Sequence, residues 1–177
     1  MGSAFAPALV DLFGRHDEAV FDYLSFRRDM EALAAERAAK YASDTDLAVV
    51  QAVFDKMEAV HSKRNAEEEA QLDAQFHMAI IEASHNVVML HMMRSMYELL
   101  RGGVFYNRQV MFKQRTSRAA LLDQHRAIND ALQRRDPAGA RAAIEKHLNF
   151  VEASLNDQQK AERNEEIARQ RLQHETG

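Results

Sequence analysis

Only six glycines and two prolines punctuate the 177 residues, and neither proline interrupts a long periodic run. With so few breakers the chain has few places to turn, so long helices joined by short connections are expected. Apolar side chains recur three and four residues apart, the spacing of one helix face. Val20, Phe21, Leu24, Met30, Leu33 and Ala34 mark a helix from about Asp17 to Ala42. Leu47, Val50, Val53, Phe54, Met57 and Val60 mark a second over 45–63, behind a stop and new N-cap at Ser43 and Asp44. A third spans 67–84, its acidic start Glu67-Glu68-Glu69 suited to the positive end of a helix dipole. Asn86 caps a fourth reaching Arg101; Gly102-Gly103 then permits a break before a further helical stretch over 104–113. Thr116 or Ser117 opens a helix to Arg134, and Asp136-Pro137 pairs an N-cap with a proline at the first helical position. No strand pattern and no internal repeat stands out. The expectation is an all-α antiparallel bundle of about six to seven helices.

Residues 1–7 read as an expression remnant or linker, 8–156 as one helical domain, and 157–177 as a polar charged tail, either a solvated helix end or disordered. A hydrophobic content of 46% supplies a core. The net charge of −4, without a basic stripe, makes the chain a poor electrostatic partner for nucleic acid. No cysteine is present, so disulfides and thiolate zinc sites are excluded, and a cytoplasmic setting is expected. No apolar run approaches the roughly 20 residues of a membrane span.

Asp73 and His77 stand four apart, one turn along the same helix face, and His125 and His147 follow on separate helical segments. Imidazole plus carboxylate suits zinc, nickel, manganese, iron or copper better than calcium or magnesium. His77 sits beside Phe76, Ile80 and Ile81; His125 among Leu121, Leu122 and Ile128; His147 among Ile144, Leu148 and Val151. Any one of them alone is better read as a satisfied core or boundary histidine. Three inward histidines and an aspartate together would be costly to bury unpaired. His16, His61, His85 and His91 share no such pattern, and His174 lies in the tail.

Arg27 lies on a mostly apolar stripe with Val20, Leu24 and Ala34, one turn before Glu31. A guanidinium there needs an anion, either Glu31 itself or a small carboxylate ligand. Arg108, past the glycine pair, is the second candidate. The methionines Met89, Met92, Met93 and Met96 fit core or dimer packing.

The stretch from Asp73 to Asn86, Asp-Ala-Gln-Phe-His-Met-Ala-Ile-Ile-Glu-Ala-Ser-His-Asn, resembles the effector-binding C-terminal (FCD) domain of GntR-type transcription regulators, FadR subfamily. Val87 to Leu100 is similar to the next helix of that family. His125-Arg-Ala-Ile and Asp136 to Leu148 carry its two remaining histidines, and Leu12 to Glu31 is similar to its linker and first effector-domain helix, including Arg27-x-x-x-Glu31. The resemblance covers about residues 8–156. Within the family the chain is most similar to lactate- and pyruvate-responsive members, through Glu82 to Arg94, Asn107-Arg108-Gln109 and His147 to Glu152. Pyruvate-responsive members can lack the metal Asp and His, both present here, which points to L-lactate; Gln71-Leu72-Asp73 is similar to glycolate-responsive relatives.

The resemblance implies a divalent transition metal, zinc or nickel first and manganese or iron next, held by Asp73, His77, His125 and His147. It implies a small carboxylate effector clamped by Arg27 and Arg108, and a homodimer. It also implies an N-terminal winged helix-turn-helix in the intact regulator; the first long helix begins too early to leave room for one, so DNA binding is expected to belong to the intact protein. An enzyme is not expected. The rival readings are a metal-dependent hydrolase, for which Glu82 is the nearest spare carboxylate, and a structural helical dimerisation module.

Overall fold

The computed structural model describes residues 15, 19–101 and 115–176. The expected helical stretches over 7–14 and 104–113, and Arg108 with them, lie outside the described residues. Six helices are described: α1 Ala19–Tyr41, α2 Asp44–His61, α3 Ala66–Ala83, α4 Val87–Arg101, α5 Arg115–Gln133 and α6 Pro137–Thr176. They form an all-α bundle, with no strand among the described residues. Residues 157 onward continue α6 without a break, so the polar segment is a solvated helix end, exposed from Gln159 through Glu175. Among the described residues no helix is long and apolar enough to cross a membrane.

The connections are as short as the scarcity of glycine and proline requires. Ser43 caps α2 in a reciprocal capping box with Asp46: Asp46 N–H donates to Ser43 Oγ (3.1 Å), and Ser43 N–H to Asp46 Oδ2 (2.8 Å). Asn65 caps α3, Asn86 accepts from Met89 N–H (3.0 Å) at the start of α4, and Asp136 accepts from Gly139 N–H (2.9 Å) at the start of α6. A Cβ at Gly139 would come within 2.2 Å of Asp136 Oδ2, so the capping carboxylate would have to shift. Three of these turns pass through a non-glycine residue with positive φ, Arg64 (55°), His85 (51°) and Arg135 (52°), each just before an Asn or Asp cap.

Packing follows the apolar stripes. Helix α1 buries Ala32, Ala34, Ala35, Ala38 and Ala39, small side chains that let α6 and α3 approach closely. Its polar edge is pinned to α6: Arg28 Nη1 donates to Asn149 Oδ1 (2.8 Å) and Glu152 Oε2 (3.1 Å), and Arg141 Nε to Glu36 Oε2 (2.8 Å). Helices α2, α3 and α5 share one apolar cluster with the start of α6, built on Val50, Phe54, Phe76, Ile80, Ile128 and Leu132. A second gathers Leu24, Ile81, Met89, Met93, Leu121 and Val151. Each such side chain fully withdrawn from water contributes about 1.5–3 kcal/mol. Between α2 and α5 the buried Asn129 Nδ2 donates to Gln51 Oε1 (2.7 Å) and Gln133 Nε2 to the Leu47 carbonyl (3.0 Å), polar links that help set their register.

Candidate metal centre

Asp73, His77, His125 and His147 converge. All four are buried, and one ligand atom from each lies within 4.8 Å of every other. Helix α3 supplies Asp73 and His77 from adjacent turns, α5 supplies His125 and α6 supplies His147. His125 Nε2 stands 3.1 Å from Asp73 Oδ1 and 3.3 Å from His77 Nε2, and His77 Nε2 is 3.7 Å from Asp73 Oδ1. Ligands about 2.1 Å from an ion are about 3.0–3.4 Å apart along the edge of an octahedron or tetrahedron. The observed separations are close to that spacing, so the donor set fits a divalent transition metal. The rings pack as a group, with centroids 5.1 Å apart for His77 and His147 and 4.4 Å for His125 and His147, while Phe76 closes the apolar side edge-on to His125 at 5.3 Å.

Protonation favours ligation. Burial pushes His77 below the ordinary imidazole value although the Glu31 carboxylate beside it pulls the other way. Burial, with His125 and His77 nearby, pushes His147 well below it. Both rings are therefore neutral near pH 7, each with a lone pair to offer. His147 Nδ1 donates to Gln124 Oε1 (2.9 Å), which leaves Nε2 as its lone-pair nitrogen.

Arg27 is buried deep in the bundle and takes the intramolecular partner: its Nε donates to Glu31 Oε1 (2.5 Å), and its guanidinium lies over the Tyr97 ring, 5.2 Å from the centroid. Tyr97 of α4 donates its hydroxyl to the same Glu31 oxygen (2.6 Å). Burial opposes ionisation of Glu31, yet Arg27, His77 and Tyr97 outweigh it and hold the carboxyl well below the usual carboxylate range. Glu31 Oε2 lies 2.5 Å from His77 Nδ1, so the arginine network and the histidine cluster are one assembly. Sequence reasoning paired Glu31 with Arg27 and missed its reach to His77, which depends on how α1 crosses α3. Glu82 is half-exposed and paired with Arg94 (2.5 Å) on the bundle surface.

A second buried polar group also escaped the sequence. Arg118 of α5 joins Glu69 of α3 and donates from Nη2 to the His61 carbonyl (2.7 Å). With Met57, Leu122 and His125 these residues line a hollow of about 10 Å³, room for roughly one water.

The bundle thus concentrates a buried aspartate, three buried histidines and a paired arginine at its centre, with the Glu31 carboxylate against His77. Residues 22–150 match the FCD domain family, and the chain belongs to that family of transcription-regulator domains. It is 38% identical over 135 residues to the Escherichia coli (strain K12) protein named "Putative L-lactate dehydrogenase operon regulatory protein", covering 76% of this chain and 51% of that one. It is 31% identical over 153 residues to the Glc operon transcriptional activator of the same strain, covering 84% and 60%. The fold is similar to the solved structure of E. coli McbR/YncC, with a TM-score of 0.68 at 17% identity over 81% of this chain and 66% of that one. The chain thus spans about half to three fifths of the length of these curated relatives. Both of these relatives are named as regulators of operon expression.

Proposed function

We propose that this domain senses a small carboxylate, L-lactate first and pyruvate or glycolate next, at a divalent metal held by Asp73, His77, His125 and His147. The carrying observation is the convergence of those four buried side chains from three helices. Zinc or nickel suits the donor set best, with manganese or iron next. The bound ion would supply a Lewis-acidic point at which a 2-hydroxy or 2-oxo acid chelates through its carboxylate and neighbouring oxygen. Arg27 and Arg108 are the proposed clamps on the carboxylate. At Arg27 the effector would have to join or displace Glu31 on the guanidinium. The relative named for an L-lactate dehydrogenase operon supports the choice of acid.

Occupation would tie α1, α3, α5 and α6 together. In the intact regulator, a homodimer carrying an N-terminal winged helix-turn-helix, this would shift the balance between two arrangements of the DNA-binding heads. The effector achieves that only through unequal affinity for the two.

A thermal-shift titration with L-lactate, D-lactate, pyruvate and glycolate, with and without chelator, tests the reading. One acid should raise the midpoint saturably, and chelator should abolish the rise. A midpoint indifferent to every acid and to chelator would overturn it.

A further inference from the structure

Glu31 touches both halves of the central assembly. Its Oε2 stands 2.5 Å from His77 Nδ1, and its Oε1 takes Arg27 Nε (2.5 Å) and the Tyr97 hydroxyl (2.6 Å). It is 1% exposed, so water does not compete for these contacts. A neutral imidazole carries one proton, and a carboxylate at Nδ1 draws that proton to Nδ1. The lone pair then sits on Nε2, the atom that lies 3.7 Å from Asp73 Oδ1 and 3.3 Å from His125 Nε2.

We propose that Glu31 is the positioning residue of the metal centre: it fixes the tautomer and ring orientation of His77, and Arg27 and Tyr97 in turn hold Glu31 in place. This deepens the metal-centre reading above and rests on it. A carboxylate behind a metal-bound imidazole raises its basicity and holds its angle, and loss of such a partner commonly weakens metal binding about 10- to 100-fold. The arrangement gives the sensor a property that the four ligands alone lack. Arg27, the proposed effector clamp, is one contact from Glu31, and Glu31 is one contact from a metal ligand. A carboxylate docking on Arg27 therefore acts on the residue that orients His77, and metal and effector affinities become coupled in both directions.

The test uses ¹⁵N NMR of the histidine rings in the metal-free wild type, together with Zn²⁺ and Ni²⁺ affinity by competition with a chromophoric chelator in wild type, Glu31→Gln and Tyr97→Phe. His77 is expected as the Nδ1–H tautomer in wild type, with Glu31→Gln binding metal about 10- to 100-fold more weakly. Tyr97→Phe removes one of the two groups that hold Glu31 but keeps the carboxylate itself beside His77, and its metal affinity is expected to fall between wild type and Glu31→Gln. Nε2–H on His77 in wild type overturns the proposal, and this result stands even where Glu31→Gln fails to fold. Equal metal affinity in wild type and Glu31→Gln, or an equal loss in Tyr97→Phe, overturns it too while leaving the metal centre itself intact. A wild type that takes up neither ion overturns the metal-centre reading and, with it, the role of Glu31 toward a metal.

Discussion

Arg118 grips both carboxylate oxygens of Glu69 across the α3–α5 contact, with Nε 2.7 Å from Oε2 and Nη2 on Oε1, and the same Nη2 reaches the last carbonyl of α2. Both side chains are less than a tenth exposed. Desolvating two charges costs several kcal/mol, and a two-point pair with a third hydrogen bond offsets that cost only while both partners remain. Arg118→Met is expected to destabilise the domain by about 3–5 kcal/mol in urea unfolding, because it strands a buried carboxylate. The double variant Arg118→Met, Glu69→Leu should recover most of the loss. A single variant within 1 kcal/mol of wild type would show that the pair is solvated in solution.

Metal loading should appear as stability. An ion present at about 100 times its dissociation constant adds about 2.7 kcal/mol to the folded state. Chelator is expected to lower the wild-type midpoint accordingly and to leave His77→Ala and His125→Ala unmoved, with bound metal, counted by mass spectrometry, near one per chain in wild type only. Equal metal content in all three proteins would place the ion elsewhere.

Acid should unfold the metal-free domain in two stages. His77 and His147 have folded-state values below the ordinary 6.5, so the unfolded chain binds more protons than the folded one as pH falls below that value. Their contribution is complete above pH 6.5 and declines below it, by as much as roughly 1 kcal/mol per pH unit for each ring. Below about pH 4.5 Glu31, depressed in the fold, begins to bind protons preferentially when unfolded and adds a second loss. Denaturant midpoints at pH 7.5, 6.0 and 4.0 in chelator check this; a flat profile from 7.5 to 5.5 contradicts the buried neutral imidazoles.

Two of the three positive-φ turns should respond differently to glycine. Arg64 is exposed at φ 55°, so Arg64→Gly relieves the left-handed strain and is expected to stabilise by about 0.5–1 kcal/mol. Arg135 sits at φ 52°, but its guanidinium donates to the Ala42 carbonyl (2.9 Å) and to Asp44 Oδ1 (2.7 Å). Arg135→Gly forfeits both contacts and should gain nothing. Thermal midpoints of the two variants side by side provide the comparison.

Helix positions were legible because they rest on local physics. Apolar spacing placed α1 through α6, and Ser43, Asn86 and Asp136 bond as caps because an N-cap acts on backbone groups two or three residues away. The pairing of Asp73 with His77 was legible for the same reason, since four residues make one turn. His125 and His147 were picked out as companions by their apolar neighbours on separate helical segments, and the family resemblance pointed to the same two.

Contacts between helices were a different matter. That Arg27 is sealed against Glu31 and Tyr97, that Glu31 reaches His77, and that Arg118 finds Glu69 depends on crossing angles set by whole apolar faces and by the alanine stripe of α1. No residue spacing encodes a distance between side chains 46 or 49 positions apart. Local spacing was enough to place the six described helical segments to within a few residues and the types of side chain they carry, but not the run of α6 past residue 156 or the start of α5 at Arg115, ahead of the expected Thr116 or Ser117 cap. Only the tertiary packing decided which charged groups share the interior, because burial removes water as a partner and leaves each group whichever neighbour the helix crossings bring within reach.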